Sequence, residues 1–235
     1  MHHNKKNGLN EMLCDYHKVD HETNYIYVVI SATPTKFGRV IRKFIHQTYN
    51  HASIAFDRNL EELYSFGRKQ NKVPLVAGLV KEYPERFSLK KAKSVNICIY
   101  RVPVSKEQFE KGRKRIHDIL NDDEEYLYNL FSVLTYPVFH GFSTYKAYSC
   151  VEFVAHMLIY MDVPMINRKK RYEYTPEELG ESIVGDMIFQ GNLLEYCDFQ
   201  SIDSKHFFER PNYVKSSADS CVTISRLIYR KVKRR

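Results

Sequence analysis

The segment that opens at Ser149-Cys150-Val151-Glu152-Phe153 constrains this chain more than any other part of it. Ser149, followed three residues later by Glu152, makes a capping box: the serine hydroxyl takes an orphan backbone N–H and the glutamate reaches back to the cap. Phe153, Val154, Met157, Leu158 and Met161 then recur at three- and four-residue spacing, which predicts a helix with one apolar stripe to bury. Cys150 falls at the first helical position, at the end of that stripe. A thiol there lies at the positive end of the helix dipole, which favours the nucleophilic thiolate. The position equally suits a small core residue. The segment alone leaves both readings open.

The helix needs a partner layer, and the amino half of the chain offers strands. Tyr25 to Ile30 is a continuous β-branched and aromatic run, the pattern of a buried strand. Thr33-Pro34-Thr35 breaks it, and Phe37, Val40, Ile41 and Phe44 step at helical spacing. His51 to Phe56 is a second strand, with Ala52, Ile54 and Phe56 on one face and His51, Ser53 and Ala55 on the other. Asp57-Arg58-Asn59 turns the chain, and Leu63 to Gly67 returns as the third strand of a hairpin. Residues 68–93, basic and carrying Pro74, Gly78 and Pro84, read as a long excursion. Val95 to Val102 is a further strand, followed by helices over about 105–120 and 123–134 and a loop over 137–147. Thr175-Pro176-Glu177-Glu178 starts a short helix. Strands are expected near 187–190 and 193–197, an irregular stretch over 200–220, and strand or helix over 221–230. The expected organisation is a polar arm over 1–23, one α+β domain over 24–225 and a basic tail over 226–235.

Composition excludes several classes. No apolar run approaches the ~20 residues of a membrane span. Met1-His2-His3-Asn4-Lys5-Lys6 leads into no signal-peptide core, and five scattered cysteines without a CxxC pair fit a reducing cytoplasm, the expected location. The net charge is +8, and six of the last ten residues are basic, so nucleic acid or an anionic surface is a candidate partner for the tail. Cys14, His17 and His21 have metal-ligand side chains, but this arm supplies neither a fourth ligand nor a fixed geometry, so no metal or other cofactor is expected.

A thiol nucleophile requires a base within reach and a group to orient that base. His51 opens a strand beside the small residues Ser53 and Ala55, which leave space for a partner. His140 lies in a loop, His156 turns away from the thiol along its own helix, and His46 and His117 fall within helical patterns. The order of parts is therefore a strand histidine, a hairpin, an insertion, and a cysteine at a helix start.

In that order, Gly38-Arg39-Val40-Ile41-Arg42 through Gln47-Thr48-Tyr49-Asn50-His51-Ala52-Ser53-Ile54-Ala55-Phe56, together with Tyr148-Ser149-Cys150-Val151-Glu152-Phe153-Val154, resembles the circularly permuted NlpC/P60 group of papain-like proteins. That group includes lecithin-retinol-acyltransferase-like and YiiX/YycO-like proteins. The resemblance covers about residues 25–67 and 145–162. It implies a small antiparallel sheet or half-barrel packed against the cysteine helix, and a cysteine-dependent hydrolase or acyltransferase acting on an amide, ester or thioester. Cys150 would be the nucleophile and His51 the base. The third polar residue would fall near Ser65, which shares a face with Leu63 and Gly67, with Glu62 in the turn as second choice. Tyr148 and Ser149 would border the oxyanion position, beside the free backbone N–H groups of the helix start. Glu152 is accounted for by the capping box. A papain-like scaffold that binds a peptide or lipid without cleaving it is the alternative, and binding of nucleic acid through the basic tail is the third reading.

Overall fold

In the computed structural model, residues 23–35, 38–39, 42, 47–89, 94–196 and 205–233 are described. Cys14, His17, His21, His46, Cys197, nearly all of the arm over 1–23 and the helical pattern from Phe37 to Phe44 lie largely or wholly outside them.

The fold is mixed α+β. Strands β1 (Asn24–Ser31), β2 (His51–Ala55), β3 (Leu63–Gln70), β4 (Val73–Glu82), β5 (Asn96–Val104) and β8 (Asp186–Asn192) form an antiparallel sheet in the order β4-β3-β2-β1-β5-β8. The short strands β6 (Leu127–Tyr128) and β7 (Ala147–Tyr148) pair in parallel beside it. Among the helices are α1 (Pro84–Ser88), α2 (Lys106–Leu120), α3 (Cys150–Tyr160), α4 (Pro176–Ser182) and α5 (Tyr213–Lys233). Single helical turns lie at Leu130–Leu134, Tyr136–Phe139, Leu193–Tyr196 and Lys205–Phe208.

Burial on both faces explains why β1 is a continuous apolar and aromatic run from Tyr25 to Ile30. Ile26, Val28 and Ile30 join the main core with Phe153, Val154, Met157 and Leu158 of α3 and Ile116 and Ile119 of α2. Tyr27 and Val29 face the other way, into a second core with Leu63, Phe87, Ile97 and Leu193. The α3 stripe expected from spacing is fully buried from Phe153 through Met161 at each of its five positions. Truncating such a side chain to alanine costs ~2–5 kcal/mol, so this packing holds the helix to the sheet.

Four sequence expectations change. Residues 68–89 are not an excursion: β3 continues to Gln70, and Val73 to Glu82 forms β4, with Val80 opposite Ser65 and Gly78 opposite Gly67. Pro74 is tolerated because β4 is an edge strand. At Gly78 a Cβ would stand 2.8 Å from the Tyr126 carbonyl oxygen, so glycine lets the chain entering β6 press onto β4. Residues 123–134 are not one helix, because Leu127 donates to the Lys146 carbonyl at 3.0 Å and Asn129 to that of Tyr148 at 2.9 Å, holding 127–128 extended against β7. Residues 193–196 are a helical turn and not a strand.

The fourth change concerns the carboxyl end: within the stretch over 200–220 expected to be irregular, Lys205–Phe208 is a helical turn and α5 starts at Tyr213, and the basic tail continues that helix. Through Lys233 it forms the last turns of α5, whose Leu227 is buried against Leu127 and Ala147. Arg230 donates to the carbonyls of Lys146 at 2.9 Å and Glu125 at 2.8 Å. The segment is docked by an apolar anchor and a charge-assisted pair of hydrogen bonds.

Candidate active site

Cys150 is the first residue of α3, and the capping box is formed. Ser149 Oγ accepts from the Glu152 N–H at 3.1 Å, and a Glu152 carboxylate oxygen accepts from the Ser149 N–H at 3.4 Å. Only 5% of Cys150 is exposed. Its sulfur lies within interaction reach of the His51 side chain and the Tyr128 hydroxyl, with the backbone N–H groups of Ala52 and Val151 close to it.

His51 is the first residue of β2, on the strand face away from Ala52 and Ile54. Ser31 lies opposite it in the β1 pairing and Ser53 follows two residues on, so small side chains leave room for the ring. The ring packs edge-on against Phe87, with centroids 5.6 Å apart. Its Nε2 lies 3.4 Å from Glu82 Oε1, which leaves Nδ1 for the thiol. Glu82 ends β4 and is held by three groups. Ser65 Oγ donates to Oε1 at 2.6 Å, His51 faces the same oxygen, and Arg86 Nε lies 3.1 Å from Oε2 as an ion pair off the line of a hydrogen bond. Gly67 makes space here, since a Cβ would stand 3.2 Å from Glu82 Oε1.

Burial opposes every charge in this line, and the neighbours overcome it. For His51, burial favours the neutral ring, but the Cys150 thiolate and the Glu82 carboxylate raise its pKa to about 10. For Cys150, burial pushes the thiol up, yet His51 and the two backbone N–H groups bring it below its ordinary value. Glu82 resists burial through Arg86, His51 and Ser65, and falls to about 2. The direction throughout is toward a thiolate–imidazolium pair backed by a carboxylate, which is how a cysteine becomes a strong nucleophile at neutral pH.

The residues expected from sequence divide as follows. Cys150 and His51 are brought together. Ser65 does not touch His51 but donates to the carboxylate that does, because its alternation face is right while its side chain is too short. Glu62 points elsewhere, pairing with Arg113 at 2.7 Å on the surface. Tyr148 is not beside the thiol: it is buried in an aromatic stack with Tyr126, Phe66 and His156. Ser149 keeps its hydroxyl in the cap. His140 is exposed at the end of a helical turn with φ 51°, and His156, stacked at 4.9 Å on Tyr148, is pushed down to about 4 by burial and by Arg115.

Sequence reasoning missed Glu82 and Tyr128. A signal for Glu82 was present: a lone acid on the same alternation face as Val80, with Arg86 one helical turn on. Tyr128 carried none, because its direction depends on the β6–β7 pairing.

Two cavities flank the thiol and imidazole. The larger, about 270 Å³, is lined by His51 and Glu82 and by apolar groups that include Phe66, Leu75, Leu130 and Phe207. The smaller, about 50 Å³, includes Cys150, Ser149, Tyr136 and Tyr174. Asn50 and Tyr128 line both, so His51 and Cys150 lie on either side of the place where the two cavities adjoin. Among the described residues no three His, Cys, Asp or Glu side chains cluster as metal ligands would, the cysteines 98, 150 and 221 are free thiols, and no helix is long and apolar enough to cross a membrane. No family model, curated protein or solved structure matches this chain.

Proposed function

We propose that this chain is a cysteine-dependent hydrolase or acyltransferase of the permuted papain-like type. The observation that carries the proposal is the buried line from Cys150 through His51 to Glu82, in the order histidine strand, carboxylate strand, cysteine helix. The Cys150 thiolate attacks the carbonyl carbon of an amide, ester or thioester. Backbone N–H groups of the first α3 turn, with the Tyr128 hydroxyl close by, are placed to stabilise the resulting oxyanion. The His51 imidazolium gives its proton to the departing amine, alkoxide or thiolate, leaving an acyl thioester on Cys150. Neutral His51 then takes a proton from water or an acceptor, which attacks the thioester and returns the thiolate–imidazolium pair. Glu82 keeps Nε2 protonated and the ring aimed at the sulfur. The apolar lining of the larger cavity favours a substrate with an apolar group on one side of the scissile bond. A binding-only role drew its support from the weak third residue expected at Ser65, and the Glu82 carboxylate weighs against it.

Iodoacetamide labelling tests the proposal. Wild type is expected to label at Cys150 at nearly the same rate at about pH 6 and pH 8, since the thiolate persists through neutrality. Cys150→Ala should abolish that label, and His51→Ala should slow it by about 100-fold at the lower pH. Equal labelling of all three proteins at the lower pH overturns the reading.

A further inference from the structure

Helix α5 has a second face that nothing among the described residues covers. Leu227 and Arg230 turn inward, while Val214, Ala218, Val222, Ile228, Tyr229 and Val232 share the opposite side of the helix and are all exposed, the five larger side chains from 50% at Ile228 to 83% at Val214. One border of this stripe is basic, with Lys215, Arg226 and Lys233 exposed along it, of which Arg226 pairs with Glu125 at 3.3 Å. Asp219 is the single acid in the helix. At 21 residues the helix is about 31 Å long, so stripe and border form an extended amphipathic surface.

The position of the helix is as telling as its pattern. Leu130 and Phe131 pack against the small cluster that holds Leu227, and Leu130 also lines the larger cavity. Leu134 lines that cavity too and is 55% exposed, and the exposed Val138 and Phe139 follow it. The mouth of the cavity is therefore bordered by apolar side chains that face water.

We propose that the outward face of α5 docks on an anionic lipid surface, with the helix lying in the interface and not crossing it. Charge complementarity selects this occupant. An apolar stripe beside lysine and arginine matches acyl chains next to negative headgroups. A second copy of the chain would bring the cationic borders toward each other with only Asp219 in each helix to offset them. Nucleic acid would use the cations and leave the apolar stripe without a role. The inference is independent of the thiol chemistry.

Vesicle co-sedimentation of the full chain provides the test, comparing phosphatidylcholine vesicles with vesicles that also contain phosphatidylserine. Wild type and Cys150→Ala are expected to bind the anionic vesicles alike and the neutral ones weakly. Combined Val222→Ser, Tyr229→Ser and Val232→Ser should reduce binding about ten-fold, as should Lys215→Gln with Lys233→Gln. These side chains are exposed, and unchanged thermal melts would confirm intact folds. The chain has no tryptophan, so Tyr229→Trp gives a unique reporter whose emission should shift to the blue only with anionic vesicles. The proposal is overturned by equal binding of wild type and the triple serine variant, by a tryptophan spectrum unmoved by anionic vesicles, or by a wild-type dimer that the serine changes convert to monomer. It is also overturned if an oligonucleotide binds the triple serine variant and wild type equally while anionic vesicles bind neither.

Discussion

Two buried glutamates, each beside an arginine, lie at the two ends of this site and behave in opposite ways. Glu82 falls to about 2, whereas Glu152, two residues after Cys150, rises to about 7. Burial raises both. Around Glu82 it is overcome by a well-enclosed Arg86, the His51 imidazolium and the Ser65 hydroxyl. Around Glu152 burial wins, although Arg171 at 3.2 Å, the Asn129 amide at 3.3 Å and the Ser149 N–H all favour the charged form. The Arg171 side chain is 35% exposed against 10% for that of Arg86, so water screens its charge more strongly. The lesson is that a nearby arginine does not decide ionisation; the number of enclosed donors and cations does.

The largest test of that contrast is Glu82→Gln. It removes one partner of a buried ion pair and the acceptor that holds His51, and should cost ~3–5 kcal/mol of stability and slow acylation about 100-fold or more. Denaturant melts and single-turnover labelling with an activated acyl substrate measure the two effects. If labelling were unchanged, Glu82 would be a structural acid only. Glu152→Gln is expected to leave labelling within about three-fold, because the amide can keep the capping bond to Ser149.

The pH dependence of stability separates the pair further. The Glu82 carboxyl is lowered in the fold, so its contribution is present above the ordinary value of 4.5 and is lost as pH falls toward about 2. The Glu152 carboxyl is raised, so its contribution is complete below 4.5 and is lost as pH rises through about 7. Between about pH 5 and 8 the Glu152 contribution should therefore fall, by on the order of 3 kcal/mol at most, so wild type should lose stability relative to Glu152→Gln across that window. Urea midpoints at the two pH values decide this, and equal slopes for both proteins would remove Glu152 from the account. The smallest effect belongs to Ser65→Ala, which deletes one buried hydrogen bond to a carboxylate and should cost about 1–3 kcal/mol with His51 still held. Recovery of most of that loss by Ser65→Thr is not expected, since the extra methyl meets packed strands.

The same contrast shows what could be read along the chain. Ser149, Cys150 and Glu152 are one local unit, and a capping box is specified by side chains three residues apart. His51 was legible through strand alternation, which separates its face from that of Ala52 and Ile54. The signal for Glu82 was obscured, because the run before it contains Pro74 and Gly78, residues that weaken a strand reading unless the strand is known to lie at an edge. Tyr128 was hidden for a related reason. The pattern over 123–134 suits a helix, and hydrogen bonds to Lys146 and Tyr148 override that local preference. The carboxyl-terminal basic run appeared as a tail because the docking of Leu227 and Arg230 is made by partners some hundred residues earlier in the chain.

Local chemistry therefore determined the helix that presents the thiol, the strand that presents the imidazole and the buried character of both. These follow from caps, periodicity and alternation, which act over a few residues. The partner that orients the imidazole, the tyrosine beside the sulfur and the apolar face left uncovered on α5 were decided only by tertiary structure. Strand register and helix docking join segments far apart in the chain, and the interactions that select them exist only once both surfaces have been brought together and dried.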